Sequence, residues 1–335
     1  FGGKPVNPIN AIPGGMSKPI SKEEQARLNE IVTFMVEFAK FTLKLFHDIV
    51  LSNSQYVDLI LNGPFRHETY SMGLVDSKNL VNFYDGQVRV VDPEGKELCK
   101  YAPQDYTKIV AERVEPWTYL KFPYLKQVGW KGLVDGKESG VYRATPQARL
   151  NVAEGMNSPG AQAAYEEYFE TLTGDRSGRK PVHNTLAIHW ARLVELLNAA
   201  ERAQELLRHP EITHPDNYRS LPTVPPGEGV GIVEAPRGTL THHYVTDERG
   251  IVVKANLIVG TTNNHAAICM SIKKAAQGLI HKGVEVNEGL LNMIEMAFRA
   301  YDPCYGCATH SLPGKMPLQV SIRAADGTLL QVVKR

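Results

Sequence analysis

Asp302-Pro303-Cys304-Tyr305-Gly306-Cys307-Ala308-Thr309-His310 carries more chemical information than any other stretch of this 335-residue chain. Two cysteines separated by two residues can present two thiolates to one metal ion. An acid precedes the pair and a histidine follows it. The chain holds four cysteines, and the other two, Cys99 and Cys269, stand alone. A closed structural zinc site needs four ligands. Cys304, Cys307 and His310 could supply three, and no second ligand pair is present. A thioredoxin-type redox pair opens a helix after a strand, whereas this pair follows a predicted helix. A disulfide over so short a loop would leave the acid and the histidine unexplained.

Composition narrows the partners. Lysine and arginine number 37 against 36 aspartates and glutamates. That balance gives no reason to expect nucleic acid or an anionic membrane as a partner. No apolar run approaches the roughly 18 residues that read as a membrane span. The opening Phe1-Gly2-Gly3-Lys4-Pro5 lacks the layout of a signal peptide. It also lacks an initiator methionine, so the chain is expected to begin inside a longer protein. The cysteines form no secreted disulfide framework, and a reducing cytoplasm is predicted. The length allows one large domain or two.

Helical periodicity dominates the rest. Ser21 with Glu24 is a capping-box signal for a helix running to about Val50. Leu28, Ile31, Val32, Met35, Phe38, Phe41 and Leu45 predict one broad buried face. Leu80–Tyr84 and Gln87–Val91 flank Asp85-Gly86, a hairpin signal, and Asp92-Pro93-Glu94-Gly95 reads as a further turn. From Tyr101 to Pro159 the aromatics and prolines suggest short pieces packed on a helical core. A second long helix is predicted from Leu186 to Leu207, ended by His209-Pro210, with a loop up to Gly229. Strands are predicted over Thr239–Val245 and Ile251–Val259. Helices follow from about His265 to His281, capped by Gly283, and from about Glu288 to Ala300 behind Asn287 as N-cap. A last hairpin, Val320–Arg323 with Leu329–Val333, turns at Asp326-Gly327. The predicted class is mainly α with small β hairpins (α+β).

Asp302-Pro303-Cys304-x-x-Cys307-x-x-His310 resembles the C-terminal signature of nickel–iron hydrogenase large subunits. The resemblance extends along the chain. Gly2-Gly3-Lys4 through Pro13-Gly14-Gly15 looks like the segment after that family's N-terminal metal motif. Glu234-Ala235-Pro236-Arg237-Gly238 with His242 looks like its central motif, and Asn256–Thr262 like the strand that follows. Glu115-Pro116-Trp117-Thr118-Tyr119-Leu120-Lys121-Phe122-Pro123-Tyr124 is similar to the cytoplasmic branch, which works with NAD(P), coenzyme F420 or heterodisulfide-reductase partners. The resemblance implies a hydrogenase large-subunit helical core. It also implies a nickel–iron centre held by four thiolates, with cyanide and carbon monoxide on the iron.

By position, Cys304 would be a terminal nickel ligand and Cys307 would bridge the two metals. Soft thiolates suit low-valent nickel and iron. Arg237 would hang over the open metal position, polarising hydrogen and donating to a cyanide. Alone, it would read as a salt-bridged arginine on a turn. Pro236 would pack the dry side of the cavity. Asp302 would pair with Arg237 or orient it; its bland alternative is a turn aspartate. Thr261 would donate to the other cyanide; its bland alternative is a threonine in a strand. His310 would hold a buried magnesium. His242 and His243 are adjacent on a predicted strand and face opposite sides.

Three features depart from the family pattern. The N-terminal motif, with two further thiolates and a proton-transferring glutamate, is absent, so the chain is expected to be part of a longer subunit. Residues 311–335 extend beyond His310, where relatives are usually cut after nickel insertion; residues 1–310 are therefore read as the large-subunit domain and 311–335 as a maturation extension. Asn7 and Gly260 replace a common histidine and a common proline. The function implied is reversible heterolytic oxidation of H2, with electrons leaving through iron–sulfur clusters of a separate small subunit. Four cysteines are too few to hold such clusters here. Electron-transfer subunits and a maturation endopeptidase complete the implied partners. The rival readings are a metal-free or sensory hydrogenase-like scaffold and a structural zinc protein.

Overall fold

The structure, a computed structural model, describes residues 9–221, 227–281, 283–304 and 319–334. Strands β1 (Ala11–Ile12) and β2 (Gly15–Met16) precede helix α1 (Lys22–Phe46), a π-helical turn and α2 (Ser54–Asn62). Next come β3 (Tyr70–Val75), β4 (Gln87–Val91), β5 (Glu97–Tyr101), α3 (Tyr106–Ile109), β6 (Val110–Val114), β7 (Lys121–Leu125) and β8 (Tyr142–Arg143). Helices α4 (Pro146–Val152), α5 (Pro159–Thr173) and α6 (Ile188–Leu207) lead to β9 (Glu228–Ala235), β10 (Gly238–Thr246) and β11 (Val252–Ile258). The chain continues through α7 (Gly260–Asn263), α8 (His265–Leu279), α9 (Glu288–Arg299), β12 (Gln319–Arg323) and β13 (Leu329–Lys334). The α+β class stands, but the β part is more than hairpins. One sheet has the order β5-β4-β3-β8 and another β11-β10-β9.

Sequence signals hold where the interaction is local. Ser21 caps α1 by accepting from the Glu24 amide at 3.1 Å, while the Glu24 carboxylate accepts from the Ser21 amide at 3.0 Å. Asn287 caps α9 by accepting from the Leu290 amide at 3.0 Å. The terminal hairpin pairs β12 with β13 around Asp326-Gly327.

Three expectations are corrected. The face of α1 that reads as buried is largely exposed: Ile31, Met35, Phe38, Phe41 and Leu45 lie outside, and Val32, Val36 and Ala39 face inward onto α6. The apolar stripe is wider than the single helix packed against it, and periodicity cannot say which part a neighbour covers. Leu80–Tyr84 is not the hairpin partner of β4. That partner is β3, in register from Ser71↔Val91 to Val75↔Gln87. All six residues of β3 are buried, so it lacks the polar–apolar alternation that reveals a half-exposed strand. Helix α8 ends at Leu279 with Ile280 as cap, and Gly283 instead takes a left-handed φ of 90° in the following turn.

Helices α2, α3, α4, α5 and α7 fall outside the helices that the sequence predicts. Pro159-Gly160 forms the first turn of α5, with proline at a position that needs no donor. The Glu201 carboxylate accepts from the amides of Gly160 and Ala161, and Gly174 closes the helix at φ 71°. Every residue of α4 is buried, including Gln147, Arg149 and Asn151. It lies between β3 and α6 and joins the two larger cores. One core is helical, around Val36, Tyr168, Trp190 and Leu197; the other lies on the β3 sheet, around Met72, Val90 and Tyr142.

His183 is buried, and its Nε2 donates to the Pro93 carbonyl at 2.9 Å. Burial pushes its pKa down from 6.5 to about 4, with the Arg143 cation nearby adding to the effect. The unfolded chain therefore binds more protons between those values, so stability is lost as pH falls through that window. At 1.36 kcal/mol per pKa unit the loss from this group is about 3 kcal/mol. Thermal midpoints taken from pH 7 down to 4 should fall less steeply in His183→Gln than in the parent. Parallel curves would contradict the assignment.

Candidate metal centre

The Cys304 motif is approached from three sides. Strands β9 and β10 form an antiparallel hairpin whose register pairs Gly238 with Ala235, leaving Pro236 and Arg237 at the turn. Strand β11 pairs with β10 and delivers the chain into α7. Gly238 and Gly260 make the close approach between the two. A Cβ on Gly238 would lie 2.5 Å from the Gly260 carbonyl oxygen and 3.0 Å from that of Ala144. No side chain fits there, so the Arg237 turn sits directly against the start of α7. Asn264, after α7, completes the join: its Nδ2 donates to the Arg237 carbonyl at 2.9 Å, and its Oδ1 accepts from the Ala144 amide at 2.8 Å.

The segment after α9 is held at four successive points. Both Arg192 amino groups donate to the Ala300 carbonyl at 3.2 Å. The Tyr301 hydroxyl is buried and accepts from Arg143 Nε at 3.1 Å, with Ser271 Oγ 2.8 Å away. Arg237 Nε donates to the Asp302 carbonyl at 2.6 Å and lies 3.2 Å from its carboxylate. Finally, the Cys304 amide donates to Thr261 Oγ1 at 3.1 Å. Asp302 adopts a left-handed φ of 51°, a conformation that aspartate tolerates better than most residues. This bends the chain from the helix end towards α7.

Structure thus brings Arg237, Asp302, Thr261 and Cys304 together. The bland expectation for Thr261, a strand position, is not met: it lies in α7 and is buried. Arg237 does form the anticipated pair with Asp302, with 39% of its side chain exposed. Its two Nη groups have no partner among the described residues. Pro236 is exposed and borders a cavity of about 410 Å³ with Phe83, Arg192, Leu196 and Ala199. Cys307 and His310 lie outside the described residues. His243 bonds to Tyr106 and Glu228, and His242 to Tyr244.

The other cysteines have the electrostatics of packing residues. Burial pushes the Cys269 thiol up to about 11 and also raises that of Cys99. Cys304 is disulfide-bonded in this structure, and thiolate chemistry at the 304 motif requires that bond to be reduced. Among the described residues, no group of three or more histidines, cysteines, aspartates or glutamates could hold a metal by itself. With that disulfide reduced, the half-buried Cys304 beside the Arg237 guanidinium and the buried Thr261 hydroxyl fits one side of a thiolate-bound metal centre.

Sequence reasoning missed the ionic cluster behind the Arg237 turn. Arg149 grips Glu195 with two bonds of 2.6 Å and reaches Glu234 at 3.1 Å. Burial pushes Glu234 up to about 7, against the pull of Arg149 and of donors from the Leu74 amide and the Thr239 hydroxyl. The available signal was an arginine in the middle of a short helix bounded by apolar residues, where an unpaired charge is prohibitively costly.

The profile of the nickel-dependent hydrogenase family matches residues 138–310. The chain belongs to that family. Over 334 residues it is 47% identical to an F420-non-reducing hydrogenase iron-sulfur subunit of Archaeoglobus profundus, covering 100% of this chain and 67% of that protein. It is 38% identical to the NAD-reducing hydrogenase HoxS subunit beta of Cupriavidus necator, covering 98% and 65%. A crystal structure of an NAD+-reducing nickel–iron hydrogenase in the H2-reduced state superposes with a TM-score of 0.80 at 33% identity, covering 92% and 64%. The chain therefore spans about two thirds of the length of the relatives it matches. No helix among the described residues is long and apolar enough to cross a membrane.

The Thr261 hydroxyl is the acceptor that anchors the Cys304 amide. A neutral hydrogen bond of this kind contributes about 1 kcal/mol, which corresponds to about fivefold in an opening equilibrium. Thr261→Val should accelerate hydrogen exchange at the Cys304 amide by about that factor. Unchanged protection would show that the bond does not hold the motif.

Proposed function

We propose that the chain is the catalytic large subunit of a nickel–iron hydrogenase, oxidising H2 reversibly to protons and electrons. The observation that carries this reading is the convergence of Arg237, Asp302 and Thr261 on the Cys304 backbone. Cys304 would bind nickel terminally and Cys307 would bridge nickel and iron, the remaining thiolates coming from a motif outside this sequence. When bound, the nickel–iron centre supplies the redox-active, Lewis-acidic site at which H2 is polarised and split.

The protein's own groups then have definable tasks. The Arg237 guanidinium, a fixed cation, would turn its Nη groups towards the bound centre and stabilise negative charge there. Asp302 pairs with that guanidinium through Nε, so the pair is made on the side away from the Nη groups. The Cys304 thiolate can take up a proton at Sγ. Thr261 Oγ1 is already an acceptor for the Cys304 amide, so its own hydrogen remains available to donate, as a cyanide contact requires. Pro236 presents no amide hydrogen and keeps an apolar edge beside the turn.

The wider assignments belong to the same proposal. Cyanide and carbon monoxide would complete the iron, and His310 would hold magnesium. Electrons leave to an iron–sulfur small subunit, and onward to NAD(P)-, F420- or heterodisulfide-reductase-type subunits. A maturation endopeptidase removes residues 311–335 from the 1–310 domain. The site of action is the cytoplasm.

The test uses full-length protein matured with its partners. It should contain nickel and show infrared bands of cyanide and carbon monoxide on iron. Cys304→Ala should lose the nickel. Arg237→Lys should keep both metals yet lose at least about 10²-fold in H2 oxidation, the scale of removing one preorganised electrostatic group. Zinc alone in the parent protein, or full activity in Arg237→Lys, would contradict the reading.

A further inference from the structure

Three consecutive backbone carbonyls at the Arg237 turn are gripped by buried side chains. Arg149 donates from its two amino groups to the carbonyls of Ala235 at 3.0 Å and Pro236 at 3.3 Å. Asn264 donates to the carbonyl of Arg237 at 2.9 Å. Both side chains belong to residues that are 1% exposed. A two-residue hairpin turn is ordinarily solvated, with its outward carbonyls bonded to water. Here each one points into protein and meets a fixed donor.

The donors are themselves fixed. Arg149 uses its whole fork: Nε and one amino group on the two Glu195 oxygens at 2.6 Å, the other amino group on Glu234 Oε2 at 3.1 Å, and the remaining hydrogens on the two carbonyls. Glu195 sits on α6 and Arg149 on α4, so the turn is referenced to two buried helices. Asn264 is locked from its other end by the Ala144 amide. The Arg237–Asp302 pair, by contrast, is about half exposed on the acid side, where an ion pair contributes little rigidity. The precision of Arg237 must therefore come from the backbone beneath it.

We propose that Arg149 and Asn264 are positioning residues for Arg237: they fix the 235–237 backbone and so set the point from which the Arg237 guanidinium reaches over the Cys304 motif. The inference rests on the proposed role of Arg237. A purely structural arginine would bear on folding and metal loading alone. A positioning residue bears on turnover through Arg237.

Lysine has three donors on one nitrogen and cannot reproduce the five-donor fork. In the matured, full-length enzyme, Arg149→Lys should retain nickel and the KM for H2 while lowering kcat at least tenfold. Hydrogen exchange at the Arg237 and Gly238 amides should quicken. The double variant Arg149→Lys/Arg237→Lys should be no slower than Arg237→Lys alone, because a group acting through another has nothing left to act on. Multiplying defects, or an unchanged kcat in Arg149→Lys, would overturn the proposal. Should Arg149→Lys fail to accumulate as folded protein, Asn264→Asp keeps the size and the Ala144 contact while removing the donor to Arg237. It should show the same kcat loss, the same quickened exchange and the same lack of additivity, and normal turnover there would overturn the proposal. If Arg237→Lys alone is fully active, the reading of Arg237 fails. The positioning claim is then decided by amide exchange alone: unchanged protection at 237–238 would refute it as well.

Discussion

The hydrogen bond of Arg237 Nε on the Asp302 carbonyl, at 2.6 Å, joins two sequence-distant parts of the site. It closes the hairpin turn of β9 and β10 onto the segment that emerges from α9. A charged donor roughly doubles the strength of such a bond, but half-exposed partners let water compete. The contact is therefore better understood as a consequence of placement than as its cause. The placement is made behind it, where Gly238 and Gly260 allow backbone to touch backbone and where buried donors hold the turn's carbonyls. Remove that support, and the guanidinium would still find an acid but not one defined direction.

The site is built with its charged scaffolding inside and its reactive groups at an open edge. The Arg149–Glu195–Glu234 cluster lies in the interior. A second buried arginine, Arg143, is satisfied mainly by neutral groups: Gln147, Tyr301, Thr185, His67 and the His183 carbonyl. Burial beside that cation holds His67 well below the usual histidine range, and therefore neutral. Such networks contribute little net stability compared with apolar packing, and breaking one partner is costly. Their worth here is geometric. Arg143 fixes Tyr301, and Tyr301 fixes where the Cys304 segment leaves the core. Arg149 fixes the turn that faces it.

How much of this was legible in the sequence follows from the range of each interaction. Capping by Ser21 and Asn287 and the Asp326-Gly327 hairpin depend on neighbours within a few residues, and all were readable. So was the gathering of Arg237, Asp302 and Thr261 around Cys304, but only because their motifs resemble a known family. Periodicity found α1 but chose the wrong face, because what covers a helix lies far along the chain. Strand β3 escaped because full burial on both faces erases alternation. Arg149 joins positions 149, 195 and 234, and Asn264 joins 264 to 237, separations that no local pattern encodes. What hinted at it was a charge where the helix had no water to offer.

The central claim is that Cys304 binds nickel beneath a backbone-fixed Arg237. Diffraction from crystals of the full-length, matured protein, collected on either side of the nickel absorption edge, tests it most directly. The account predicts an anomalous peak bonded to the sulfurs of Cys304 and Cys307, with the Arg237 Nη groups facing its open side and the Arg149 and Asn264 bonds to the turn intact. A nickel peak away from Cys304, or an Arg237 turned out to solvent with the metal in place, would contradict it.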